Sequence, residues 1–238
     1  MNQTPDPGPA LLPALHAERG GAAVHVALGP VLLSKASVSE QDNCAYVLTC
    51  TVTGAQLLVD AADDAPAVLG LLAAAADAAG RAAVDLVAVV TTHGHWDHHR
   101  ALPEVLAATG AASLVGRADA GDLPVPADRL LDHGDVVTVG ALAVEVVHLR
   151  GHTPGSVALV VPGSDGHPGL ALTGDSLFPG GVGNTWQDPA RFSSLLSDVT
   201  ERLLDAVPGD TLVQPGHGDG TTVGAERGSV ALWRERGW

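Results

Sequence analysis

Apolar residues along the chain follow two rhythms, short runs cut off by glycine, proline or acids and longer stretches spaced three and four apart. The first kind predicts strands and the second helices. Ala22 to Leu28 alternates weakly and predicts a first strand. Asn43–Thr51 and Ala55–Asp60 are β-rich, and Val52-Thr53-Gly54 between them is a hairpin signal. Pro66 to Ala79 predicts a helix opened by proline and closed by Gly80, with Val68, Leu71, Leu72 and Ala75 on its core side. A strand from Val84 to Val90 follows, so strand, helix, strand implies a right-handed parallel crossover. A helix from Arg100 carries Leu102, Val105 and Leu106 on one side, and Ser113–Gly116 is a short strand.

Further strands are predicted at Val136–Val139, Ala141–Leu149, Val157–Val161, Leu170–Thr173 and Thr211–Val213. Asp188-Pro189 starts a helix with Phe192, Leu195, Leu196, Val199 and Leu203 inward, and a short helix begins near Gly224. The pattern reads as two β-rich blocks, each followed by helices, with a seam near Gly110 to Pro126. Residues 1–20 read as a flexible segment and residues 21–238 as a single domain.

Composition narrows the function. A net charge of −15 and a single lysine, Lys35, leave no basic surface for a phosphate backbone, so nucleic acid is not an expected partner. Met1–Pro13 lacks the basic start and apolar centre of a signal peptide, and no run has the length of a membrane span. A cytoplasmic protein with a small-molecule substrate and no membrane partner is expected. Cys44 and Cys50 fall in one predicted strand, about 20 Å apart at roughly 3.3 Å per residue, too far to bridge.

Chemistry concentrates where strands end. Directly after the Val84 strand, His93-Gly94-His95-Trp96-Asp97-His98-His99 packs four histidines and a carboxylate into seven positions. Imidazole and carboxylate are the donors that hold a borderline divalent ion such as zinc. Residues two apart at a strand end point the same way, so His93 and His95 can hold one ion together. Asp97 and His98, placed near the N-terminus of the next helix, leave in another direction that suits a second ion. Three later turns carry His152, Asp175 and His217, each beside glycine. Asp60 ends another strand, either capping the turn or standing behind the ligands. His25, His133, His148 and His167 read as turn, surface or core residues, and Lys35 and His99 have no assigned role.

The ordered set Asp60, His93–His98, His152, Asp175 and His217 resembles the five motifs of the metallo-β-lactamase superfamily. Gly151-His152-Thr153-Pro154-Gly155-Ser156 with Gly174-Asp175-Ser176-Leu177-Phe178 is similar to its hydroxyacylglutathione hydrolase (glyoxalase II) group. The resemblance implies an α+β fold, a four-layer αββα sandwich with a two-metal cleft along one edge. It assigns one Zn²⁺ to His93, His95 and His152, a second to Asp97, His98 and His217, and a bridging place to Asp175.

The implied activity is that of a binuclear metal-dependent hydrolase, in which metal-bound hydroxide attacks the carbonyl of a thioester or related ester. Asp97 relays a proton, and a thiolate of pKa about 8.5 leaves without an extra acid. A mononuclear Fe²⁺ persulfide dioxygenase, a lactonase and a non-catalytic binding module are the alternatives. Glutathione-specific members add a C-terminal helical domain, whereas 21 residues follow His217 by subtraction from 238. Relatives often read Gly-x-Gly-Arg-Thr-Asp after the bridging aspartate, where this chain has Gly181-Val182-Gly183-Asn184-Thr185-Trp186. Asn184 and Trp186 are the expected substrate contacts, Trp186 toward an apolar or flat group.

Overall fold

Alternation along the strands sends neighbouring side chains to opposite faces, and both faces here are apolar, so each sheet must be covered twice. The computed structural model describes residues 15–164 and 166–237. The first sheet runs β1 (Val24–Leu28), β2 (Val31–Ser37), β3 (Cys44–Cys50), β4 (Gln56–Val59), β5 (Leu86–Thr91), β6 (Ala112–Gly116) and β7 (Arg129–Leu131) in spatial order. β1 to β4 pair antiparallel, and β4 to β7 pair parallel. Between β4 and β5 lies α1 (Ala65–Ala78), and between β5 and β6 lies α2 (Leu102–Thr109).

The second sheet takes β8 (Val136–Val139), β9 (Leu142–His148), β10 (Val157–Val161) and β11 (Leu170–Gly174). After a small ribbon of β12 (Leu177–Phe178) and β13 (Gly181–Val182) and then α3 (Pro189–Val199), β14 (Leu212–Pro215) and β15 (Thr221–Thr222) complete it. Its spatial order is β15-β14-β11-β10-β9-β8. The chain's described part closes with α4 (Val223–Arg227) and α5 (Val230–Arg236).

Three apolar clusters define four layers. Tyr46, Leu48, Leu57 and Val59 meet Val144, Val146, Leu159 and Leu172 between the sheets. The opposite-facing Val47, Leu58 and Val89 pack under Val68, Leu71 and Leu72 of α1 and Leu102 and Val105 of α2. Ala158, Val160 and Val213 pack under Phe192, Leu195, Leu196 and Val199 of α3 and Trp233 of α5. The arrangement is an αββα sandwich, the expected α+β class.

Four details differ from the sequence reading. The pattern did not single out β2, because Ser34, Lys35 and Ser37 interrupt its apolar run, yet all three are buried. β6 and β7 extend the first sheet, so the seam falls at the Asp132–Asp135 turn rather than at Gly110–Pro126. The strand β6 matches the predicted Ser113–Gly116, whereas β7, three residues long, carries too little alternation of its own to be seen. Asp97 does not sit at the start of α2: it lies in a 3-10 turn, Trp96–His98, and α2 opens at Leu102 with Ala101 as an N-cap that makes no side-chain bond. Of the segment expected to be flexible, residues 1–14 lie outside the described residues, whereas Leu15 and Ala17 are buried and Arg19 bridges Ser37.

Candidate metal centre

The ends of β5 and β11, together with the turns that follow β9 and β14, deliver the candidate ligands to one edge of the sandwich. Nε2 of His93, Nδ1 of His95 and Nε2 of His152 form one group, with His95 3.0 Å from each of the other two. Asp97, His98 and His217 form a second group: Nε2 of His98 and of His217 lie 3.2 Å apart, and Oδ2 of Asp97 lies 3.5 Å from His217. Asp175 stands between them, Oδ1 3.3 Å from His98 and Oδ2 3.7 Å from His152 and 3.6 Å from His217. All seven expected side chains therefore converge, and His93 and His98 share a further group with Asp175.

The hydrogen bonds behind the rings fix which nitrogen faces inward. Nδ1 of His98 meets Oδ2 of Asp60 at 2.9 Å, Nδ1 of His217 the carbonyl of Gln41 at 2.8 Å, and Nδ1 of His152 the carbonyl of Asn184 at 2.9 Å. Those partners only accept, so each Nδ1 carries the hydrogen and each Nε2 is left with a lone pair. His93 belongs to the same scheme through a relay: the Thr92 hydroxyl donates to Asp60 Oδ2 at 2.8 Å and receives Nδ1–H of His93 at 3.1 Å. Four Nε2 atoms thus face inward, within groups whose donor atoms lie within 4.8 Å of one another, beside a buried Asp175 Oδ1 that has no well-formed hydrogen bond. Such a donor set is stable only around positive charge. The residues fit a pair of divalent cations.

Without an ion the charge balance divides the two groups: His93, His95 and His152 favour the neutral ring, whereas His98 and His217 favour a proton on Nε2, the place a cation would take. Burial and the neighbouring rings hold His93 well below the ordinary imidazole value, and burial lowers His95 and brings His152 to about 4. Burial also pulls on His98, but the carboxylates of Asp60 and Asp175 outweigh it and raise His98 to about 10. His217, opposed by burial and favoured by Asp97 and Asp175, is raised as well. The hydrogen bond from His217 lowers Asp97, and the charge of His98 overcomes burial to lower Asp175.

Several supporting residues carried no signal in the sequence. Nδ2 of Asn43 donates to Oδ2 of Asp97 at 3.0 Å. Buried Asp119, in a 3-10 turn after β6, accepts Gly94 N–H at 2.9 Å and the Thr153 hydroxyl at 2.5 Å on one oxygen and Gly155 N–H at 2.6 Å on the other. It ties the His93–His95 turn to the His152 turn. Arg191 donates to the carbonyls of Gly151, at 2.8 Å, and His152. Asp60 takes the role behind the ligands: besides His98 and Thr92 Oγ1, it accepts Thr92 N–H at 2.7 Å. Glycine is required at 216, where a Cβ would overlap Asp175 Oδ1 and His98 Cε1.

His99, His133, His148 and His167 stay out of the metal groups, and His148 Nε2 meets the carbonyl of Pro154 at 2.8 Å. Asn184 uses its side-chain oxygen to receive Trp186 N–H at 2.7 Å. Trp186 lies nearly parallel to His152, with ring centres 5.4 Å apart, and edge-on to His95 at 5.5 Å. A cavity of about 470 Å³ opens there, bounded by His95, Trp96, Asp122, Thr153, Trp186 and Arg191. A larger one of about 810 Å³, between the Val182–Pro189 loop and α5, touches none of the seven candidate ligands.

Comparison with known proteins agrees with the geometry. The model of the family described as "Metallo-beta-lactamase superfamily" matches residues 41–217. A hydroxyacylglutathione hydrolase of Fuscovulum blasticum is 40% identical over 178 residues, which cover 74% of this chain and 63% of that protein. The chain thus spans under two thirds of the length of that relative. Among solved structures, ETHE1 from Myxococcus xanthus superposes with a TM-score of 0.68 at 26% identity, covering 84% of each chain. TTHA1623 in a di-iron-bound form superposes with a TM-score of 0.64 at 29% identity, covering 81% of this chain and 96% of that one.

Proposed function

The chain belongs to the metallo-β-lactamase superfamily, and on that premise we propose that it is a binuclear metal-dependent hydrolase acting on a small thioester or related ester. One observation carries this reading: four histidines whose Nδ1 hydrogens are committed elsewhere turn their Nε2 atoms toward one another around Asp175. His93, His95 and His152 would hold one ion, Asp97, His98 and His217 the other, with Asp175 shared between them. Zinc suits this nitrogen and oxygen set. Iron is the alternative, since TTHA1623 is described in a di-iron-bound form.

When bound, the ions supply a water of lowered pKa and a Lewis acid for the substrate carbonyl. The protein's own groups do the rest. Asp97, held as a carboxylate by His217 and anchored by Asn43, takes the proton of the attacking water and passes it on. Asp60 and Thr92 keep His98 and His93 in the tautomer that faces inward. The carbonyl–sulfur bond breaks, water adds to the acyl carbon, and a carboxylic acid and a thiol result. A thiolate leaves readily near neutral pH, which is why a thioester suits a site with no additional acid. Trp186, pinned by Asn184, supplies the wall beside the reacting carbonyl. The buried free thiols of Cys44 and Cys50 are compatible with the cytoplasmic setting proposed here.

Metal analysis of protein purified without added metal, followed by a panel of thioesters, esters and lactones, tests the proposal. Close to two ions per chain and turnover that falls with Asp175→Ala or His152→Ala are expected. A fully loaded enzyme that cleaves none of the panel would overturn it. A single iron with oxygen uptake on a persulfide would replace it with the dioxygenase reading.

A further inference from the structure

Aromatic residues make up 3% of this chain, with four tryptophans in all. Two of them, Trp96 and Trp186, are large apolar side chains left 58% and 50% exposed, and both border the cavity over His95. A chain so poor in aromatic rings would gain stability by burying them, as it buries Trp233. Their placement at the mouth of the metal groups instead calls for an occupant.

The backbone around Trp186 is held in a costly shape. Trp186 and Gln187 adopt φ of 53° and 59°, the left-handed region, at two successive residues that are not glycine. Strain of this kind persists only where surrounding contacts impose it. Those contacts are present: Asn184 Oδ1 receives Trp186 N–H, and the Arg191 guanidinium lies 4.4 Å from the indole centre while donating to the carbonyls of Gly151 and His152. Trp186 is thereby locked to the same segment that carries His152. Trp96 is fixed in a parallel way, with the Arg100 guanidinium 4.1 Å from its ring centre and held by Asp63 at 2.7 Å. Each indole has a guanidinium over its ring, which restrains its orientation.

We infer that Trp96 and Trp186 form an aromatic clamp that selects substrates bearing a planar aryl group next to the scissile thioester. This rests on the hydrolase reading above and names its substrate class. The 470 Å³ cavity has room for a phenyl ring together with the reacting carbonyl, and His95 is among its lining residues. Short aliphatic acyl groups would leave the two indoles wet, so they gain little from this mouth. Ring pairing of the usual strength amounts to roughly threefold to tenfold in binding per indole.

The experiment compares three thioesters of equal reactivity, an acetyl alkyl thioester, its phenylacetyl counterpart and an acetyl S-benzyl thioester, with the metal-loaded parent, Trp186→Ala, Trp96→Ala and the conservative Trp186→Phe. The expected result is a kcat/KM for at least one aryl substrate tenfold or more above the alkyl one, an aryl-to-alkyl ratio that falls threefold to tenfold in either alanine variant through KM, and recovery of the ratio in Trp186→Phe. Equal losses on aryl and alkyl substrates, or no aryl preference in the parent, would overturn the clamp. The two aryl arms report whether the ring sits on the acyl or the thiol side. A non-hydrolysable aryl thioether titrated against tryptophan fluorescence reads binding without turnover. Quenching of Trp186 that needs threefold or more ligand in Trp96→Ala, in an enzyme that cleaves no thioester, would sink the reaction and keep the clamp. Absence of quenching would sink the clamp whatever the reaction proves to be.

Discussion

Asp119 offers the sharpest test of how the metal edge is assembled. It is fully buried, and its two oxygens accept three hydrogen bonds from two segments that carry ligands of the same metal group. In Asp119→Asn one oxygen becomes an amide NH₂, which can only donate. The least damaging orientation keeps the oxygen facing Gly94 N–H and Thr153 Oγ1 and turns the NH₂ against Gly155 N–H, where the native separation is 2.6 Å. One charge-assisted bond is lost with its donor left buried, about 2–3 kcal/mol, and two more weaken from charged to neutral, about 1 kcal/mol together. A cost of about 3–4 kcal/mol is a large part of the stability of a typical domain, about 5–15 kcal/mol.

The damage should also be local to one ion. Gly94 lies between His93 and His95, and Thr153 and Gly155 follow His152, whereas none of the three contacts touches Asp97, His98 or His217. Urea unfolding of the parent and Asp119→Asn, paired with metal analysis after dialysis against a weak chelator, reads both effects. The expected outcome is a midpoint shift worth about 3 kcal/mol and a drop from two ions toward one. A variant within 1 kcal/mol of the parent that keeps both ions would refute the account of Asp119 as the tie between these turns.

Three further outcomes are expected of the same protein. Gly216→Ala places a methyl group on Asp175 Oδ1 and His98 Cε1, so metal analysis should find the second ion lost. Chelation should lower the melting temperature, because an ion present at a thousand times its dissociation constant contributes about 4 kcal/mol; an unchanged melting curve would mean that no ion had been bound. Buried Asp198 receives Arg150 Nε and Nη2, each at 2.7 Å, and lies 3.3 Å from Arg202 Nε; burial opposes its ionisation, but these arginines hold it below the usual carboxylate range. Its contribution is therefore complete above the unfolded carboxylate value of about 3.9 and fades as pH falls through the lower folded value, so Asp198→Asn should cost about 2 kcal/mol at pH 7 and less below pH 4 by urea unfolding.

What the sequence disclosed about this site follows from how far apart the cooperating atoms lie in the chain. The His93–His98 cluster is contiguous, and His152, Asp175 and His217 each end an apolar run beside glycine, so all seven could be named in advance. Of their supports only Asp60, which also ends a strand, could be. Asn43 reaches Asp97 across 54 positions, Asp119 reaches Gly155 across 36, and buried Lys35 donates to the carbonyl of Gly218 across 183. A polar residue that works by meeting a distant backbone group has no local pattern to betray it.

The tautomers show the limit most clearly, because the groups that fix His152 and His217 are the carbonyls of Asn184 and Gln41, which every residue type possesses. Side-chain identity at 41 is therefore free as far as His217 is concerned. At 184 it bears on Trp186, whose N–H the Asn184 side chain receives, rather than on His152. Replacement of Asn184 by alanine should accordingly leave metal content intact while loosening the Trp186 loop. That separation of ligand geometry from substrate wall is why the candidate metal ligands could be picked out from the sequence and its resemblance, whereas the Trp186 wall depends on a loop whose conformation residue names do not announce.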